Sequence, residues 1–170
     1  MDLDAHIRKF KPDISDLTAT NYVEDLGRLH EKANGSRQMD SGGAQSLADM
    51  LQFNRSLTSL NVSGNDIGDG GKSAIGDALL SSSTSKLQFL TCSEWSITAD
   101  TSSLDLSRKE LNAADAKLLA GVIKFNRSLK SANFGGNDIG DEGTAALSEA
   151  LNHRPRPTRG PFEAVRSVCY

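Results

Sequence analysis

"FNRSLTSLNVSGNDIGDGGKSAIGDAL" (residues 53–79) aligns without a gap to "FNRSLKSANFGGNDIGDEGTAALSEAL" (residues 125–151), at an offset of 72 residues. The first copy contains Gly-Gly-Lys-Ser at residues 70–73, the end of a phosphate-binding loop G-x-x-x-x-G-K-[ST]. Asp66 stands where that loop needs its first glycine and would repel a phosphate, and the second copy has no lysine at the matching position. The glycines and acidic residues of this stretch also do not fall at the positions that an EF-hand calcium loop requires. The stretch is therefore interpreted as a repeated structural unit, and nucleotide binding through residues 66–73 is kept as the second alternative.

Weaker copies of the unit lie around these two. Residues 86–97 match at an offset of 30, residues 103–123 at an offset of 44, and residues 37–51 match the second half of a unit at an offset of 28. Each unit reads L-x-x-L-x-L-x-x-N-x-I, followed by G-x-x-x-L-x-x-x-L. The first half alternates apolar and polar residues, which predicts a short strand, and the second half spaces apolar residues like one face of a helix.

In this order and with a period of 28 to 30 residues, the unit resembles the leucine-rich repeat of the ribonuclease-inhibitor type. The resemblance covers about residues 38–151. It implies an α/β leucine-rich-repeat solenoid, a short horseshoe with parallel strands on the concave face and helices on the convex face. We expect residues 1–36 to form a helical N-terminal cap and residues 37–151 to form about four units. Residues 152–170, rich in proline and arginine, are expected to form a basic extended or disordered tail.

Six residues are predicted to shape the bends and helix starts: Asn65, Asn137, Asp69, Asp141, Gly68 and Gly140. The two aspartates are expected to be N-caps, because their carboxylates accept hydrogen bonds from free N–H groups of the first helical turn. The two glycines are expected to permit a positive φ where the chain crosses from strand to helix. The resemblance implies that the two asparagines hold the bend through side-chain hydrogen bonds. Gly71 and Gly143 are expected to let neighbouring units pack closely.

The middle of the chain departs from the pattern. Leu90 and Leu104 begin consecutive L-x-L cores only 14 residues apart, so no helix fits between them. The asparagine position of the unit is occupied by Trp95 in one copy and by Lys109 in the next. We therefore expect residues 93–103 to be irregular, either as a short extended return or in another arrangement.

The side chains around each L-x-L core are predicted to point to the concave face and to contact a partner. Most are small and polar, whereas aromatic residues and arginine usually contribute most to an interface. In this sequence the aromatic residues and the arginine lie in the irregular middle of the chain. Trp95 could equally fill the core. The predicted partner-binding residues are Asn61, Phe89, Thr91, Glu94, Trp95, Asp105, Arg108 and Asn133.

No constellation of residues predicts catalysis, a metal or a cofactor. His6, His30 and His153 do not cluster, and no G-x-S-x-G elbow is present. Cys92 and Cys169 fit no metal spacing, and Cys92 takes a strand position that suits a core thiol. The protein is therefore predicted to be no enzyme and to have no small-molecule substrate.

Charge and hydropathy restrict the partners. The net charge is −3, and because the residues after Leu151 carry +3, the remaining residues carry −6, which disfavours nucleic acid. No run of about 18 apolar residues predicts membrane insertion, and without a secretory signal the expected location is the cytoplasm.

We therefore predict a protein–protein interaction module that serves as a scaffold or an accessory subunit of an intracellular assembly. Its partner would be another protein. The alternative is a regulator of a GTPase or another enzyme, such as a GTPase-activating protein of the Ran type, which shares this repeat. Those proteins have longer arrays and an acidic tail, whereas this tail is basic.

Overall fold

The computed structural model describes residues 39–55 and 57–153. The predicted N-terminal cap, residues 1–36, lies outside the described residues, as does the predicted tail from residue 154 onward. Residues 152 and 153, which we assigned to the tail, are instead the end of the last helix.

The described residues form strands and helices in the order that the repeat predicts. The helices are α1 (Ser41–Phe53), α2 (Gly68–Ser81), α3 (Ala113–Ile123) and α4 (Gly140–His153). The strands are β1 (Ser59–Asn61), β2 (Phe89–Thr91), β3 (Ser96–Ile97), β4 (Ser103–Asp105) and β5 (Ser131–Asn133).

The strands form two separate sheets. β1 pairs with β2 in parallel, β2 pairs with β3 antiparallel, and β4 pairs with β5 in parallel. The prediction that no helix separates Leu90 from Leu104 is confirmed, and the short extended return is β3. β3 departs from the predicted parallel order because a parallel crossover needs a dozen or more residues, whereas a hairpin needs only a few. β3 thus occupies the edge of β2 where a further parallel strand would pair.

The helices pack side by side in chain order, α1 on α2, α2 on α3 and α3 on α4. A Cβ on Gly71 would lie 2.6 Å from the Cβ of Ala44, and a Cβ on Gly143 would lie 2.7 Å from the Cβ of Ala116. These glycines therefore permit the close approach of α1 to α2 and of α3 to α4, as predicted. The helix layer is continuous across the place where the strand layer is divided.

The core lies between the two layers and consists mainly of aliphatic side chains. Leu60, Leu90 and Leu104 point inward from the strands, and Leu79 and Leu118 point inward from the helices. Because one residue of each three-residue strand points inward, its neighbours on either side face outward. The fold thus places a row of alternating positions on the outer surface of the sheets, which we call the strand face.

Candidate functional site

The strand face is formed by residues that pair in register. Ser59 lies beside Phe89 on β1 and β2, and Ser103 lies beside Ser131 on β4 and β5. The hydroxyl of Ser131 donates to that of Ser103 at 2.9 Å. Phe89 is 37% exposed, so it presents an aromatic surface among small polar side chains.

Three predicted partner-binding residues occupy the same position, the last residue of a strand: Asn61, Asp105 and Asn133. Their side-chain oxygens accept hydrogen bonds from the backbone N–H two residues further on, at 2.9, 3.0 and 3.0 Å. The N–H and hydroxyl groups of Ser107 lower the pKa of the Asp105 carboxyl. Each side chain therefore has a fixed orientation on the strand face and also stabilises the turn that follows.

This turn role was missed from the sequence, although a signal was present. An Asx residue followed two positions later by serine or glycine ends β1, β4 and β5 alike. Its recurrence at one position of the unit is typical of a side chain that bonds to its own backbone.

The remaining candidates outside the core lie near the β2–β3 hairpin and the β4 bend. The hydroxyl of Thr91 lies 3.0 Å from that of Ser96 on β3. Glu94 is exposed and its carboxylate accepts a hydrogen bond from the thiol of Cys92 at 3.1 Å. Arg108 is exposed and has a positive φ of 55°.

Trp95 does not lie on the surface, so its predicted role as a partner contact is wrong. The residue is only 6% exposed and belongs to the core cluster. The unit that contains Trp95 has no helix of its own, so a large aromatic ring supplies core volume that a helix would otherwise provide. Among the residues that the structure describes, the indole N–H has no hydrogen-bond partner, so Trp95 contributes to the core through packing.

The two bend asparagines join neighbouring units. Asn65 accepts a hydrogen bond from the N–H of Met39, in the preceding unit, at 2.9 Å. Asn137 accepts from the N–H groups of Lys109 and Leu111 at 2.8 and 3.1 Å. It also donates to the carbonyl oxygen of Leu106 at 2.8 Å. These bonds satisfy backbone groups that the bend would otherwise leave without partners.

The predicted N-caps need correction. The N-cap of α2 is Ile67, which makes no side-chain capping bond, so Asp69 lies inside the first turn. Asp141 likewise lies inside the first turn of α4. The helices begin two residues earlier than predicted, at Gly68 and Gly140, whose φ angles of 57° and 60° turn the chain into the helix. The two carboxylates still favour the positive end of the helix dipole.

Side-chain caps are found instead on α1 and α3. Asp40 accepts from the N–H of Gly43 at 2.9 Å, and Asn112 accepts from the N–H groups of Ala114 and Asp115. Asp115 in turn accepts from the N–H of Asn112, which completes a capping box. The sequence signal for this box, Asn-Ala-Ala-Asp at residues 112–115, was present and was not used.

Lys72, the lysine of the phosphate-loop hypothesis, is held by a carboxylate. Its Nζ lies 2.7 Å from Oδ1 of Asp115, and both side chains are largely buried. Burial lowers the pKa of Lys72, but the hydrogen bond and negative charge of Asp115 outweigh that effect and raise it. Lys72 therefore links α2 to α3, and its ammonium group is not free to bind a phosphate.

Cys92 is a buried thiol, not an activated nucleophile. Burial, together with the carboxylate of Glu94, raises its pKa to about 11, so the thiolate is scarce at neutral pH. Within residues 39–55 and 57–153, no group of three or more His, Cys, Asp or Glu residues is placed to hold a metal ion. In the same part of the chain, no helix has the length and apolar character that crossing a membrane requires.

Comparison with known proteins bears on this architecture directly. The family model "Leucine Rich repeat" matches residues 53–76 and 125–148. Ribonuclease inhibitor of Sus scrofa is 29% identical to this chain over 114 residues, which are 67% of the chain and 22% of that protein. The chain is a leucine-rich-repeat protein of the ribonuclease-inhibitor-like type. The two matched segments contain β1 with most of α2, and β5 with most of α4.

Two further leucine-rich-repeat relatives carry additional domains in their names. NACHT, LRR and PYD domains-containing protein 5 of Bos taurus is 31% identical over 126 residues, or 74% of this chain. NACHT, LRR and PYD domains-containing protein 13 of Homo sapiens is 32% identical over 124 residues, or 72% of this chain. The aligned part is 10% of either relative, so the chain spans only a small part of the curated relatives that it matches.

Proposed function

We propose that this leucine-rich-repeat protein is a non-catalytic interaction module whose strand face binds another protein. In this proposal it acts as a scaffold or an accessory subunit of an intracellular assembly in the cytoplasm. The observation that carries the proposal is Phe89, an aromatic side chain that stands 37% exposed on a sheet of otherwise small polar side chains.

The surroundings of Phe89 suit a binding contact. Asn61 and Thr91 lie on the same two strands, and hydrogen bonds to Ser63 and Ser96 fix their side chains. A partner therefore meets polar groups that are already ordered, which lowers the entropic cost of association. Interfaces commonly place such polar groups around one buried aromatic residue.

The comparisons support a protein partner and a non-catalytic role. Ribonuclease inhibitor, by its name, acts on a protein enzyme. The groups that would suggest chemistry here have other roles, because Lys72 is paired with Asp115 and the pKa of Cys92 is raised to about 11. A free buried thiol also suits the reducing environment of the cytoplasm.

The contribution of Phe89 to binding follows from its exposed area. A phenylalanine side chain buries roughly 150–250 Å² when fully covered. The exposed third corresponds to roughly 70 Å², which at about 25 cal/mol per Å² amounts to about 1.5–2 kcal/mol. Removing the ring should therefore weaken the complex by about 10- to 30-fold.

The test begins with crosslinking of the full chain in its native extract, followed by mass spectrometry of the products. The affinity of the identified partner is then measured for wild type, Phe89→Ser and the control Phe53→Ser. Phe53 is 80% exposed at the end of α1, away from the strand face, so its replacement makes the same chemical change elsewhere. We expect only Phe89→Ser to weaken binding. Equal affinities for all three folded proteins, or equal losses in both variants, would refute binding through the strand face.

A further inference from the structure

The loops that lead from a helix to the next strand share one edge of the molecule. The Nζ of Lys124, which follows α3, donates to the carbonyl oxygens of Leu80 and Ser82 at the end of α2, so these two helices end side by side. The N–H of Gln88, before β2, donates to the carbonyl oxygen of Thr58, before β1. Residues 54, 55, 57 and 58, together with residues 82–88 and 124–130, therefore line this edge, which we call the return edge.

The return edge carries exposed positive charge. Four exposed basic side chains lie in its three loops: Arg55, Lys86, Arg127 and Lys130. These loops contain no aspartate or glutamate. The salt bridges among the described residues involve only lysines of the helices, so none of the four side chains is neutralised there. Arg55 and Arg127 occupy the same position of the unit, 72 residues apart.

The opposite edge, where strands lead into helices, carries the opposite charge. Asp66 and Asp69 in one unit, and Asp138 and Asp141 in the other, are all exposed there. The two regular units therefore separate their charges, with acidic residues at one edge and basic residues at the other, while the bend after β4 adds Arg108 and Lys109 near the acidic edge.

Attraction to the negative ends of the helices does not account for the basic edge. That effect fades within the last turn of a helix. α1 ends at Phe53, α2 at Ser81 and α3 at Ile123, so the four basic residues follow the helix ends by two to seven positions. Lys124 already satisfies the carbonyl groups at the end of α2.

We propose that the return edge binds an acidic, extended segment of a partner protein. Arg55, Lys86, Arg127 and Lys130 supply the charge that pairs with the carboxylates of this segment. A long polyanion such as nucleic acid suits the site less well, because the chain has a net charge of −3 and the opposite edge is acidic. A short acidic peptide places its charge only along the basic loops. This surface is separate from the strand face, so the two proposals succeed or fail independently.

The experiment uses the full chain and a fluorescein-labelled peptide of ten glutamates, with binding followed by fluorescence anisotropy at low salt. We expect Arg55→Ser/Arg127→Ser to weaken peptide binding by roughly five- to tenfold, since each exposed ion pair contributes modestly. Binding to wild type should also weaken as salt is raised. The matched control is Arg108→Asn/Lys109→Ser, which removes two exposed positive charges near the opposite edge and should change binding by less than about twofold.

Thermal unfolding of each variant verifies that the fold is intact. The arginines after Leu151 are present in every protein compared, so their contribution cancels. Equal weakening in the two double variants, or no measurable binding to wild type, would overturn the proposal. A ten-nucleotide DNA strand that bound more tightly than the peptide would assign the edge to nucleic acid instead. If wild type self-associated, the Arg55→Ser/Arg127→Ser variant did not, and wild type did not bind the peptide, the return edge would be assigned to a second copy of the chain.

Discussion

Replacing Gly76 with alanine tests the contact on which the two halves of the described chain depend. Gly76 lies on the face of α2 that packs against α3. An added Cβ would lie 2.5 Å from the backbone carbon of Lys117, 2.6 Å from its oxygen and 2.8 Å from the nitrogen of Leu118. Non-bonded carbon atoms prefer a separation of about 3.5 Å or more, so the helices would have to separate by about 1 Å. Backbone atoms cannot rotate away from the new methyl group as a side chain can.

The expected change in the free energy of unfolding is the difference between two opposing effects. Overpacking of a core contact costs about 1–3 kcal/mol, and the upper half of that range applies because three backbone atoms are involved. Alanine favours a helix over glycine by about 0.8–1 kcal/mol. The free energy of unfolding should therefore fall by about 1–2 kcal/mol. With a urea m-value of about 2 kcal/mol/M, the midpoint should fall by about 0.5–1 M.

The matched control is Gly70→Ala in the same helix. There the new Cβ would meet only the hydroxyl oxygen of Ser41, at 3.0 Å, which can rotate away. Its stability should stay unchanged or rise by up to about 1 kcal/mol. Urea unfolding followed by circular dichroism compares the three proteins. If Gly76→Ala proved as stable as wild type or more stable, the close α2–α3 contact would be wrong.

Two other predictions concern the bends and the buried thiol. Asn137→Ala should lower the free energy of unfolding by about 2–4 kcal/mol. The loss should exceed that of Asn65→Ala, because among the described residues Asn137 makes more hydrogen bonds to backbone groups of the preceding unit. Urea unfolding of both variants measures the two losses, and a larger loss for Asn65→Ala would contradict the prediction. Cys92 has its pKa raised from an ordinary value of 9.0 to about 11, so between these pH values only the unfolded thiol ionises and stability falls as pH rises. Between these pH values the free energy of unfolding of wild type should therefore fall by about 1–2 kcal/mol more than that of Cys92→Val. Equal decreases in the two proteins would show that folding does not raise the pKa of the thiol.

Features that arise from neighbours in sequence were predictable. The spacing of Leu90 and Leu104 excluded a helix between them, and the structure has a two-residue strand there. The positive φ of Gly68 and Gly140 and the close packing at Gly71 followed from the same local pattern. For the glycines, the repeated unit supplied two copies of one physical constraint.

Features that arise from the relative placement of units were not predictable. Lys72 and Asp115 are 43 residues apart, and their ion pair requires that α2 and α3 be neighbours even though a unit without a helix lies between them. The burial of Trp95 depends on the same arrangement, because an aromatic residue on a loop suits a surface or a core equally well.

The divided strand layer has a consequence for how the chain unfolds. Strand hydrogen bonds join β1 to β2 and β4 to β5, but the two sheets share none, so the halves are coupled mainly through the α2–α3 contact and a few side-chain bonds. In a repeat protein, cooperativity is carried by contacts between nearest neighbours. Abolishing this one interface, rather than loosening it as Gly76→Ala does, should therefore turn a single unfolding transition into two. The block of α1, β1, α2, β2 and β3 would then melt separately from the block of β4, α3, β5 and α4, and the break between them would fall after the helix-less unit.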